Sequence, residues 1–449
     1  MFSRVLIANR GEIAVRIIRA CRGLGLSTVA AYSTADADSL HVALADEAVC
    51  VGPPAPRRSY LDIPNVIGAA LRTGADAVHP GYGFLSEDPY FAEICAQNGI
   101  TFIGPPPEVM ESAGDKAIAR RLMGEAGLPL LPGTTEPVAS LDAALEVADR
   151  VGYPVVLKAV AGGGGRGISM AASRAELRET YARTRSGAQA VFGDSRVYLE
   201  RYLPVARHIE FQVLGDAHGR IVHLGERDCS VQRRHQKLVE EGPSPALDDD
   251  LRAEMGEAAL RGAKALGYRG AGTVEFLLDD DGRYWFMEMN ARIQVEHPVT
   301  EMISGVDLVT EQIRIAAGEP LAFDQADVRL TGHAIEVRVN AEDPDRGFAP
   351  TPGTLAEFRA PGGPGVRIDS HCAPGAAIPP YYDSMIAKLI VWDRDRPACL
   401  RRMRTALDEL EVEGPGLRTT VPFHRRVLEH PVFRAGGTHT DFVDRYLRG

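Results

Sequence analysis

An alternation of short apolar runs with amphipathic segments over residues 1–113 is the feature that most constrains the fold. The apolar run 5–8 precedes an amphipathic segment, 12–24, whose apolar residues recur every three or four positions, and a second apolar run follows at 27–32. This order predicts a β-α-β unit, whose two strands are parallel because the helix returns the chain to the same edge of the sheet. Since the pattern repeats up to residue 103, we predict an N-terminal doubly wound α/β domain.

The segment 79–87, with the sequence HPGYGFLSE, follows a predicted strand of this domain. In doubly wound sheets, ligands bind outside the carboxyl ends of the strands. The two glycines that flank Tyr82 allow the backbone to approach a ligand closely. A plain loop without a ligand is equally compatible with this stretch.

A run of four glycines lies within the segment 158–167, KAVAGGGGRG. The N–H groups of successive glycines can surround an anion, and Lys158 and Arg166 supply positive charge beside them. Because the lysine precedes the glycines, the segment is not a P-loop. The run belongs to a small α+β module that follows a hinge-like stretch at 132–137, which indicates a mobile phosphate-binding lid. A flexible linker is the alternative.

The chain contains 50 lysines and arginines, of which only five are lysines. They are Lys116, Lys158, Lys237, Lys264 and Lys388. Where arginine serves as the general surface cation, the remaining lysines are enriched at positions that need a compact point charge. Lys237 ends a dense polar run at 226–237, ERDCSVQRRHQK, and this favours a site there over a solvated loop.

Between residues 284 and 300 the sequence reads YWFMEMNARIQVEHPVT. Polar residues occupy every second position of its middle part: Glu288, Asn290, Arg292, Gln294 and Glu296. This period of two predicts one face of an extended strand. A solvated face is the alternative, but a row of carboxylates, an amide and a guanidinium without lysine, serine or threonine favours a functional site.

The stretch DDDG at 279–282 separates two strand patterns and predicts a β-hairpin. With a four-residue loop, Glu275 faces Glu288 directly, and with a two-residue loop the pairing shifts by two residues but both remain on one face. Two such carboxylates repel each other, whereas a divalent cation turns this repulsion into binding, and Asn290 adds a neutral oxygen. These oxygens predict a Mg²⁺ site, with two unrelated surface glutamates as the alternative.

Residues 331–449 show Pro-Gly-rich turns between short strand patterns, which predicts an antiparallel sheet. Within them, Arg338 is a candidate for stabilising negative charge, and a structural ion pair is the alternative. We therefore predict a chain with both α/β and α+β parts. Its five segments are an N-terminal α/β domain (1–113), a helical linker (114–131), a lid (132–203), a catalytic core (204–330) and a C-terminal domain (331–449).

The bulk composition excludes several classes of partner. With a net charge of −11, no global basic field favours nucleic acid or a membrane surface, and the chain has no run of 18 apolar residues that would indicate a membrane-spanning helix. The apolar stretch at the N-terminus is too short for a signal peptide. The six cysteines are scattered without a Cys-x-x-Cys pair, which argues against structural zinc and favours reduced thiols in a cytoplasmic protein.

Taken in chain order, the motifs resemble those of the biotin carboxylase family within the ATP-grasp superfamily. The resemblance covers essentially all 449 residues. Its motifs are IANRGEIAVRIIRA (7–20), HPGYGFLSE (79–87), GDKAIAR (114–120), KAVAGGGGRG (158–167), RHIEFQV (207–213), ERDCSVQRRHQK (226–237), EMNARIQVEHPVTE (288–301) and PPYYDSMIAKL (379–389). Departures are small: Ile168 stands where the family usually has Met, and Arg201 where some relatives have Lys, which puts the neighbouring adenine contact in doubt.

The resemblance implies an ATP-grasp fold with a glycine-rich lid and a two-step reaction. ATP phosphorylates bicarbonate to carboxyphosphate, and the carboxylate then passes to N1′ of biotin. The implied nucleotide contacts are Lys116, Lys158, Gly163, Gly164, Gly165, Glu200, Leu203, His208, Gln232 and His235. The implied ligands of Mg²⁺ (or Mn²⁺) are Glu275, Glu288 and Asn290. The implied bicarbonate contacts are Lys237, Arg292, Gln294 and Val295, with Glu296 as general base. The implied biotin contacts are Arg338, which stabilises the enolate, and Tyr82.

Two partners are also implied by the resemblance, a biotin carboxyl carrier protein and a carboxyltransferase, together with a homodimeric assembly. The sequence has neither a Met-Lys-Met biotinyl site nor an acyl-CoA-binding transferase half. We therefore expect a stand-alone subunit of acetyl-CoA or another acyl-CoA carboxylase, to which biotin is a carried substrate and not a covalent group. The alternatives are the corresponding subunit of pyruvate carboxylase, another carboxyphosphate-forming ATP-grasp ligase, and a catalytically inactive scaffold.

Overall fold

The computed structural model describes residues 2–161 and 167–447. Its first sheet has five parallel strands in the order β3-β2-β1-β4-β5. The strands are β1 (Arg4–Ile7), β2 (Ser27–Ser33), β3 (Glu47–Gly52), β4 (Ala77–His79) and β5 (Thr101–Phe102). The connecting helices are α1 (Gly11–Gly23), α2 (Leu40–Leu44), α3 (Ile63–Thr73) and α4 (Pro89–Gln97). The doubly wound parallel sheet is thus confirmed.

Both faces of this sheet are buried, as parallel sheets require. Val5 and Ile7 of β1 belong to one apolar core, and Leu6 and the following Ala8 belong to another. The strand order reverses between β1 and β4, where Ile7 is paired with His79. The loop after β4 therefore starts at the switch point of the sheet, where such folds bind ligands.

Two helices, α5 (Pro107–Gly114) and α6 (Lys116–Glu125), lead to the lid. The lid contains α7 (Leu141–Val151), β6 (Val155–Ala159), β7 (Ile168–Ala171), α8 (Arg174–Phe192) and β8 (Val197–Arg201). Its antiparallel strands have the order β7-β6-β8 and form a separate apolar core with the two lid helices. Strand β7, which is only four residues long, was not predicted from the sequence. The glycine run, at 162–165, lies outside the described residues.

The largest sheet has eight antiparallel strands in the order β13-β12-β9-β10-β11-β14-β21-β19. Its first six strands along the chain are β9 (Arg207–Gly215), β10 (Ile221–Arg233), β11 (Gln236–Gly242), β12 (Gly270–Leu278), β13 (Tyr284–Asn290) and β14 (His333–Asn340). The helices among them are α9 (Asp249–Ala265), α10 (His297–Ser304) and α11 (Leu308–Ala316). Because β11 pairs with β14, the sheet crosses the predicted boundary between catalytic core and C-terminal domain. The division into five segments stays a prediction.

The C-terminal region is antiparallel, as predicted. Its further strands are β15 (Glu342–Asp343), β16 (Ala349–Pro350), β17 (Gly353–Thr354), β18 (Glu357–Arg359), β19 (Val366–Ser370), β20 (Ala377–Ile378), β21 (Met385–Asp393) and β22 (Glu411–Glu413). Its helices are α12 (Arg396–Glu409), α13 (Val421–Glu429), α14 (Pro431–Arg434) and α15 (Phe442–Tyr446). Helix α12 packs Cys399 and Met403 into the core of β14 and β21. Over the described parts of the chain, none of the helices has both the length and the apolar composition needed to cross a membrane.

One strand prediction was wrong in part, and the solvated-loop alternative for a second polar run was wrong. Strand β13 ends at Asn290, and residues 291–296 form a loop before α10, so the polar row does not lie on one strand. An alternation over so few residues cannot distinguish a strand that continues from a loop that follows it. The polar run at 226–237 is not a solvated loop, because it forms the end of β10, a two-residue turn and the start of β11.

The hairpin of β12 and β13 is confirmed, and Glu275 pairs directly with Glu288. Pairing starts with Leu278 and Tyr284, so the loop between them is one residue longer than the four-residue alternative. A bulge next to Phe276 shifts the register by one residue and thereby restores the predicted pair.

Candidate active site

One face of the eight-stranded sheet is polar and nevertheless buried. On β9, Ile209 and Phe211 point into an apolar core, whereas His208, Glu210 and Gln212 share the opposite face and are at most 5% exposed. Helix α10 packs against β10, β11 and β14 and covers this face. The alternating pattern of β9 therefore produces a buried polar surface, which must be stabilised by internal pairing.

Three carboxylates lie in a row across this polar face. Glu275 of β12 is directly opposite Glu210 of β9 and Glu288 of β13. Arg227 of β10 is opposite Glu210, and its Nε donates to Glu210 Oε1 at 2.6 Å. Because like charges repel in opposed positions, the row depends on the cations around it.

Lys237, at the start of β11, is the central cation. Its Nζ lies 2.5 Å from Glu210 Oε2, 3.1 Å from Glu275 Oε1 and 2.6 Å from Glu296 Oε1. All three ammonium donors are thus used by carboxylates. Burial alone would lower the pKa of Lys237, but the three carboxylates outweigh it and raise this pKa well above its usual value. Lys237 is therefore a permanent positive charge.

Glu296 is held by two cations. Its Oε1 accepts from Lys237, and its Oε2 accepts from Arg338 Nη2 at 2.9 Å. Burial would raise the pKa of Glu296, but Lys237, Arg338 and Arg227 bring it well below its usual value, so the group is ionised at neutral pH. Arg338 Nε also donates to Glu240 Oε1 at 2.7 Å, which joins β11 and β14 to this site.

The predicted metal ligands are adjacent to one another. Asn290 Nδ2 donates to Glu275 Oε1 at 2.8 Å, and Glu288 Oε2 lies 2.5 Å from Lys116 Nζ. The other oxygen of Glu275 lies 3.0 Å from His208 Nε2. Burial would raise the pKa of Glu275, but Lys237 and His208 lower it strongly. Two ionised carboxylates and an amide in direct proximity are hard oxygen donors of the type that Mg²⁺ prefers.

The predicted bicarbonate contacts lie in the loop before α10. Arg292 Nε donates to Glu87 Oε2 at 2.8 Å, and its Nη1 donates to Gln294 Oε1 at 2.9 Å. The carbonyl oxygen of Val295 accepts from Lys388 Nζ at 2.8 Å. The loop is therefore anchored both to the loop after β4, through Glu87, and to β21, through Lys388.

The predicted nucleotide contacts lie on the lid and beside it. Lys158 Nζ of β6 lies 2.5 Å from Glu200 Oε2 of β8, and Arg120 of α6 pairs with the other oxygen of the same carboxylate. Burial would lower the pKa of the nearby phosphate candidate Lys116, but the charges of Glu288 and Glu200 raise it. Leu203 is half-buried after β8. Three further predicted contacts lie outside the described residues, namely Gly163, Gly164 and Gly165.

Gln232 and His235 lie at the hairpin of β10 and β11. Gln232 is buried and paired with Lys237, whereas His235 is exposed in the turn. The turn residues Arg234 and His235 have φ angles of 49° and 63°. Two-residue hairpins need this left-handed backbone, which costs a side-chain-bearing residue about 1–3 kcal/mol. The strain lies in the turn that carries a predicted nucleotide contact.

Tyr82 lies in the loop at the switch point of the parallel sheet. Its hydroxyl donates to Glu12 Oε1 at the start of α1. Asn9 Nδ2 holds the loop by donating to the carbonyls of Pro80 and Tyr82, both at 2.7 Å. Gly81 has a φ of 64°, and a Cβ there would lie 3.0 Å from the Asn9 side chain, so this turn needs glycine.

The structure thus unites Lys237, Glu275, Glu296 and Arg338 in one cluster of contacts and connects Arg292 to it through Gln294, whose Nε2 lies 3.4 Å from Glu275 Oε1. Several side chains that hold these groups had no role predicted from the sequence. They are Glu12, Glu87, Arg120, Glu210, Arg227 and Glu240. All but Glu240 lie in the quoted motifs, so membership of a motif could have identified them. A search restricted to residues that contact a ligand directly overlooks them.

Three family models match the chain. Their descriptions are biotin carboxylase, N-terminal domain, for residues 1–110, carbamoyl-phosphate synthase L chain, ATP binding domain, for 115–323, and biotin carboxylase C-terminal domain, for 336–445. Among curated relatives, a biotin carboxylase of Nostoc sp. is 56% identical over 98% of each chain. A pyruvate carboxylase subunit from Methanothermobacter thermautotrophicus is 52% identical over 100% of this chain and 91% of the relative.

Solved structures match over nearly the full length. A complex of biotin carboxylase from Campylobacter jejuni with β,γ-ATP has a TM-score of 0.97 and 46% identity, and covers 99% of each chain. The biotin carboxylase domain dimer of 2-oxoglutarate carboxylase from Hydrogenobacter thermophilus, in complex with MgADP, ADP and bicarbonate, has a TM-score of 0.96 and 48% identity. The match covers 99% of this chain and 98% of that one.

Proposed function

The chain belongs to the biotin carboxylase family, and we propose that the cluster around Lys237 is where it phosphorylates bicarbonate. The chain is an ATP-dependent ligase with an ATP-grasp fold, and its reaction uses ATP, Mg²⁺ and bicarbonate to carboxylate biotin. One observation carries the assignment of the site. The ammonium of Lys237 contacts Glu275, from the metal end, and Glu296, from the bicarbonate end.

In this proposal, bicarbonate is held by Lys237, Arg292, Gln294 and the backbone of Val295. A bicarbonate oxygen attacks the γ-phosphorus of ATP, the bond to ADP breaks, and the proton of bicarbonate passes to Glu296. The carboxylate of Glu296 is ionised, as a proton acceptor must be, but two cations weaken it as a base. An arriving anion would share these cations, so substrate binding itself would raise the basicity of Glu296.

At the metal and nucleotide ends of the site, ligand binding would likewise replace one ion pair by another. Glu275, Glu288 and Asn290 would hold Mg²⁺, which neutralises charge on the phosphate oxygens during transfer. Lys116 now pairs with Glu288 at 2.5 Å. Nucleotide phosphates would attract Lys116 and thereby release Glu288 for the metal. Lys158, on the strand before the glycine run, is a second phosphate contact in this proposal.

The remaining nucleotide contacts are Glu200, Leu203, His208, Gln232 and His235. The carboxylate of Glu200 is 1% exposed and is committed to Lys158 and Arg120. Any contact between Glu200 and the adenine base would therefore use the backbone of this residue. We propose that Gly163, Gly164 and Gly165 contact the phosphates, and this proposal rests only on the resemblance of their motif to that of the family.

Biotin would lie between Arg338 and Tyr82. Arg338 is a permanent cation, because burial would lower its pKa and the carboxylates of Glu240 and Glu296 raise it. A fixed guanidinium is suited to stabilising the negative charge that develops on the biotin ring after its N1′ proton is removed. We assign Arg292 and Lys237 to the same reaction as anion-binding catalytic residues.

The proposed partners are a biotin carboxyl carrier protein and a carboxyltransferase subunit, and the proposed assembly is a homodimer. Relatives include subunits and domains of larger carboxylases, and one related structure is a domain dimer. We also propose a cytoplasmic location, which is supported by the six free cysteines. A role within pyruvate carboxylase is a second candidate, which the 52% identity to a subunit of that enzyme favours.

The test is Glu296→Gln, which removes the proton acceptor but keeps the size of the side chain. We expect carboxybiotin formation to fall by about 100-fold or more, while the Kd for Mg-ATP stays within about twofold. Labelled bicarbonate measures the product, and calorimetry measures nucleotide binding. The exposed Glu125→Gln is the matched control and retains activity. Unchanged turnover of Glu296→Gln would remove Glu296 from the base role.

A further inference from the structure

Lys388 is a fully buried lysine that the proposed reaction does not use. It lies on β21, directly opposite Arg338 of β14 and Asp369 of β19, and its exposed fraction is 0%. A buried ammonium destabilises the fold strongly unless its donors find good acceptors. The acceptors of Lys388 therefore indicate its role.

The hydrogen-bond acceptor of Lys388 and its two carboxylate neighbours come from three distant parts of the chain. Lys388 Nζ donates to the carbonyl oxygen of Val295 at 2.8 Å and lies 3.1 Å from Glu12 Oε1 and 3.9 Å from Asp369 Oδ2. Val295 belongs to the loop before α10, Glu12 to the first turn of α1, and Asp369 to β19. Lys388 thus connects the catalytic core, the N-terminal domain and the C-terminal region at one atom.

The contact with Val295 acts on the loop 291–296, which carries the proposed bicarbonate contacts and is called the bicarbonate loop. A peptide group is planar, so the position of the Val295 carbonyl also fixes the N–H and the Cα of Glu296, from which the Glu296 side chain extends. A carbonyl oxygen that faced the substrate would repel an anion. Because Lys388 binds this oxygen, the carbonyl is directed at a cation and not at bicarbonate.

The contact with Glu12 acts on the loop that carries Tyr82. The oxygen of Glu12 that lies 3.1 Å from Lys388 also accepts the hydroxyl hydrogen bond of Tyr82. The Tyr82 hydroxyl, the Glu12 carboxylate, the Lys388 ammonium and the Val295 carbonyl therefore form one continuous chain of polar contacts. This chain joins the proposed biotin loop to the proposed bicarbonate loop.

We propose that Lys388 is a positioning residue that holds the Val295–Glu296 peptide and, through Glu12, the Tyr82 hydroxyl, so that the bicarbonate and biotin loops keep one relative geometry. The inference rests on the proposed function, because that function defines both loops. Lys388 touches neither the nucleotide contacts nor the metal ligands named above. Removal of the Lys388 ammonium is therefore expected to weaken the binding of bicarbonate and biotin and to leave the binding of Mg-ATP unchanged.

The test replaces the ammonium and keeps the aliphatic stem, as in Lys388→Met. We expect the KM for bicarbonate and the KM for free biotin each to rise about tenfold or more, as the loss of hydrogen bonds to a charged group predicts. The Kd for Mg-ATP should stay within about twofold. The matched control is Lys264→Met, at an exposed position of α9, which should leave all three constants unchanged.

A second variant, Glu12→Gln, separates the two branches of the polar chain. It leaves Lys388 on the Val295 carbonyl, so the KM for biotin should rise while the KM for bicarbonate stays within about twofold. If Lys388→Met does not accumulate as folded protein, Lys388→Met with Glu12→Gln is measured instead, because it removes both buried charges. The KM for bicarbonate should rise in this double variant as well.

Three outcomes would overturn the inference: a lower melting temperature with unchanged KM values, a fall in kcat alone, or a Kd for Mg-ATP that changes as much as the KM for bicarbonate. A merely structural lysine would give the first or second of these. Failure of the proposed function is recognised separately, because the wild-type protein would then show no bicarbonate-dependent ATP hydrolysis.

Discussion

The two large sheets bury their faces by opposite means. In the parallel sheet, successive residues of β1 enter two apolar cores, and the ligand-binding loops lie beyond the strand ends. In the eight-stranded sheet, the polar residues Glu210, Arg227, Glu240 and Glu275 lie on the strands themselves and are at most 3% exposed. Stability and function are therefore separable in the first sheet, whereas in the second the same side chains provide both.

The sharpest test of this comparison is Arg227→Met in the eight-stranded sheet. Arg227 is fully buried and donates to Glu210, Gln212 and Thr300. Its loss leaves Glu210 with Lys237 at 2.5 Å and the more distant His208 at 3.7 Å, so we expect the free energy of unfolding to fall by about 3–5 kcal/mol. Denaturant titration measures this loss, and the residual activity at low temperature should fall as well, because Lys237 would be drawn towards Glu210.

The counterpart in the parallel sheet is Leu6→Ala. Leu6 is fully buried, and its truncation should cost about 2–5 kcal/mol through the cavity that it leaves. Despite a similar loss of stability, kcat/KM at low temperature should be unchanged. If Arg227→Met kept full activity, or Leu6→Ala lost it, the contrast between the sheets would be wrong.

Glu240 and Glu241 offer a comparison within one strand, because they are neighbours that point to opposite faces of β11. Burial raises the pKa of Glu240 to about 7, although Arg338 opposes it. Burial would also raise the pKa of Glu241, but His333 and Arg396 outweigh it and lower the value to about 2. The two carboxylates should therefore contribute to stability with opposite dependence on pH.

For Glu240, whose folded pKa is raised, the contribution is present below pH 4.5 and lost as the pH rises to about 7. For Glu241, whose folded pKa is lowered, it is present above pH 4.5 and lost as the pH falls towards about 2. The difference in unfolding free energy between wild type and Glu240→Gln should thus shrink by up to about 3 kcal/mol between pH 4.5 and 7. The difference for Glu241→Gln should stay constant there. Denaturant titrations at a series of pH values measure both differences. If the two differences changed with pH in the same way, the assignment would be contradicted.

The smallest effect is expected where neither sheet is involved. Arg121 and Glu125 form an ion pair at 3.0 Å on the surface of α6, with side chains 46% and 60% exposed. Solvent screens such pairs, so Arg121→Ala should change the free energy of unfolding by less than about 0.5 kcal/mol. Thermal unfolding checks this value, and a loss above about 1 kcal/mol would show that exposed charges matter more in this fold than we infer.

Much of the fold could be predicted from sequence because the signals are local. The strands and helices of the parallel sheet alternate within short distances, and turn chemistry places Glu275 opposite Glu288. Such features depend on periodicity and on turn residues, which a single sequence contains. The hairpin even kept its predicted pair with a different loop length, because a bulge compensated for it.

The contacts that complete the site could not be predicted, because they join distant segments. Arg292 binds Glu87, which is 205 positions away in the sequence, and Lys388 binds the Val295 carbonyl, which is 93 positions away. The covering of the polar face by α10 is equally non-local, so a row that resembled one strand proved to be a strand end and a loop. Motif membership indicated these residues, but only tertiary packing shows which side chain holds which.

The pairing of β11 with β14 has a consequence for any attempt to divide the protein. A cut between the catalytic core and the C-terminal region would convert β11 from an interior strand into a free edge, with unpaired N–H and C=O groups along its length. The exposed edge would also uncover Glu240, whose partner Arg338 lies on the removed strand. Fragments cut there are prone to mutual association, so fusion or circular permutation should use connections outside this sheet.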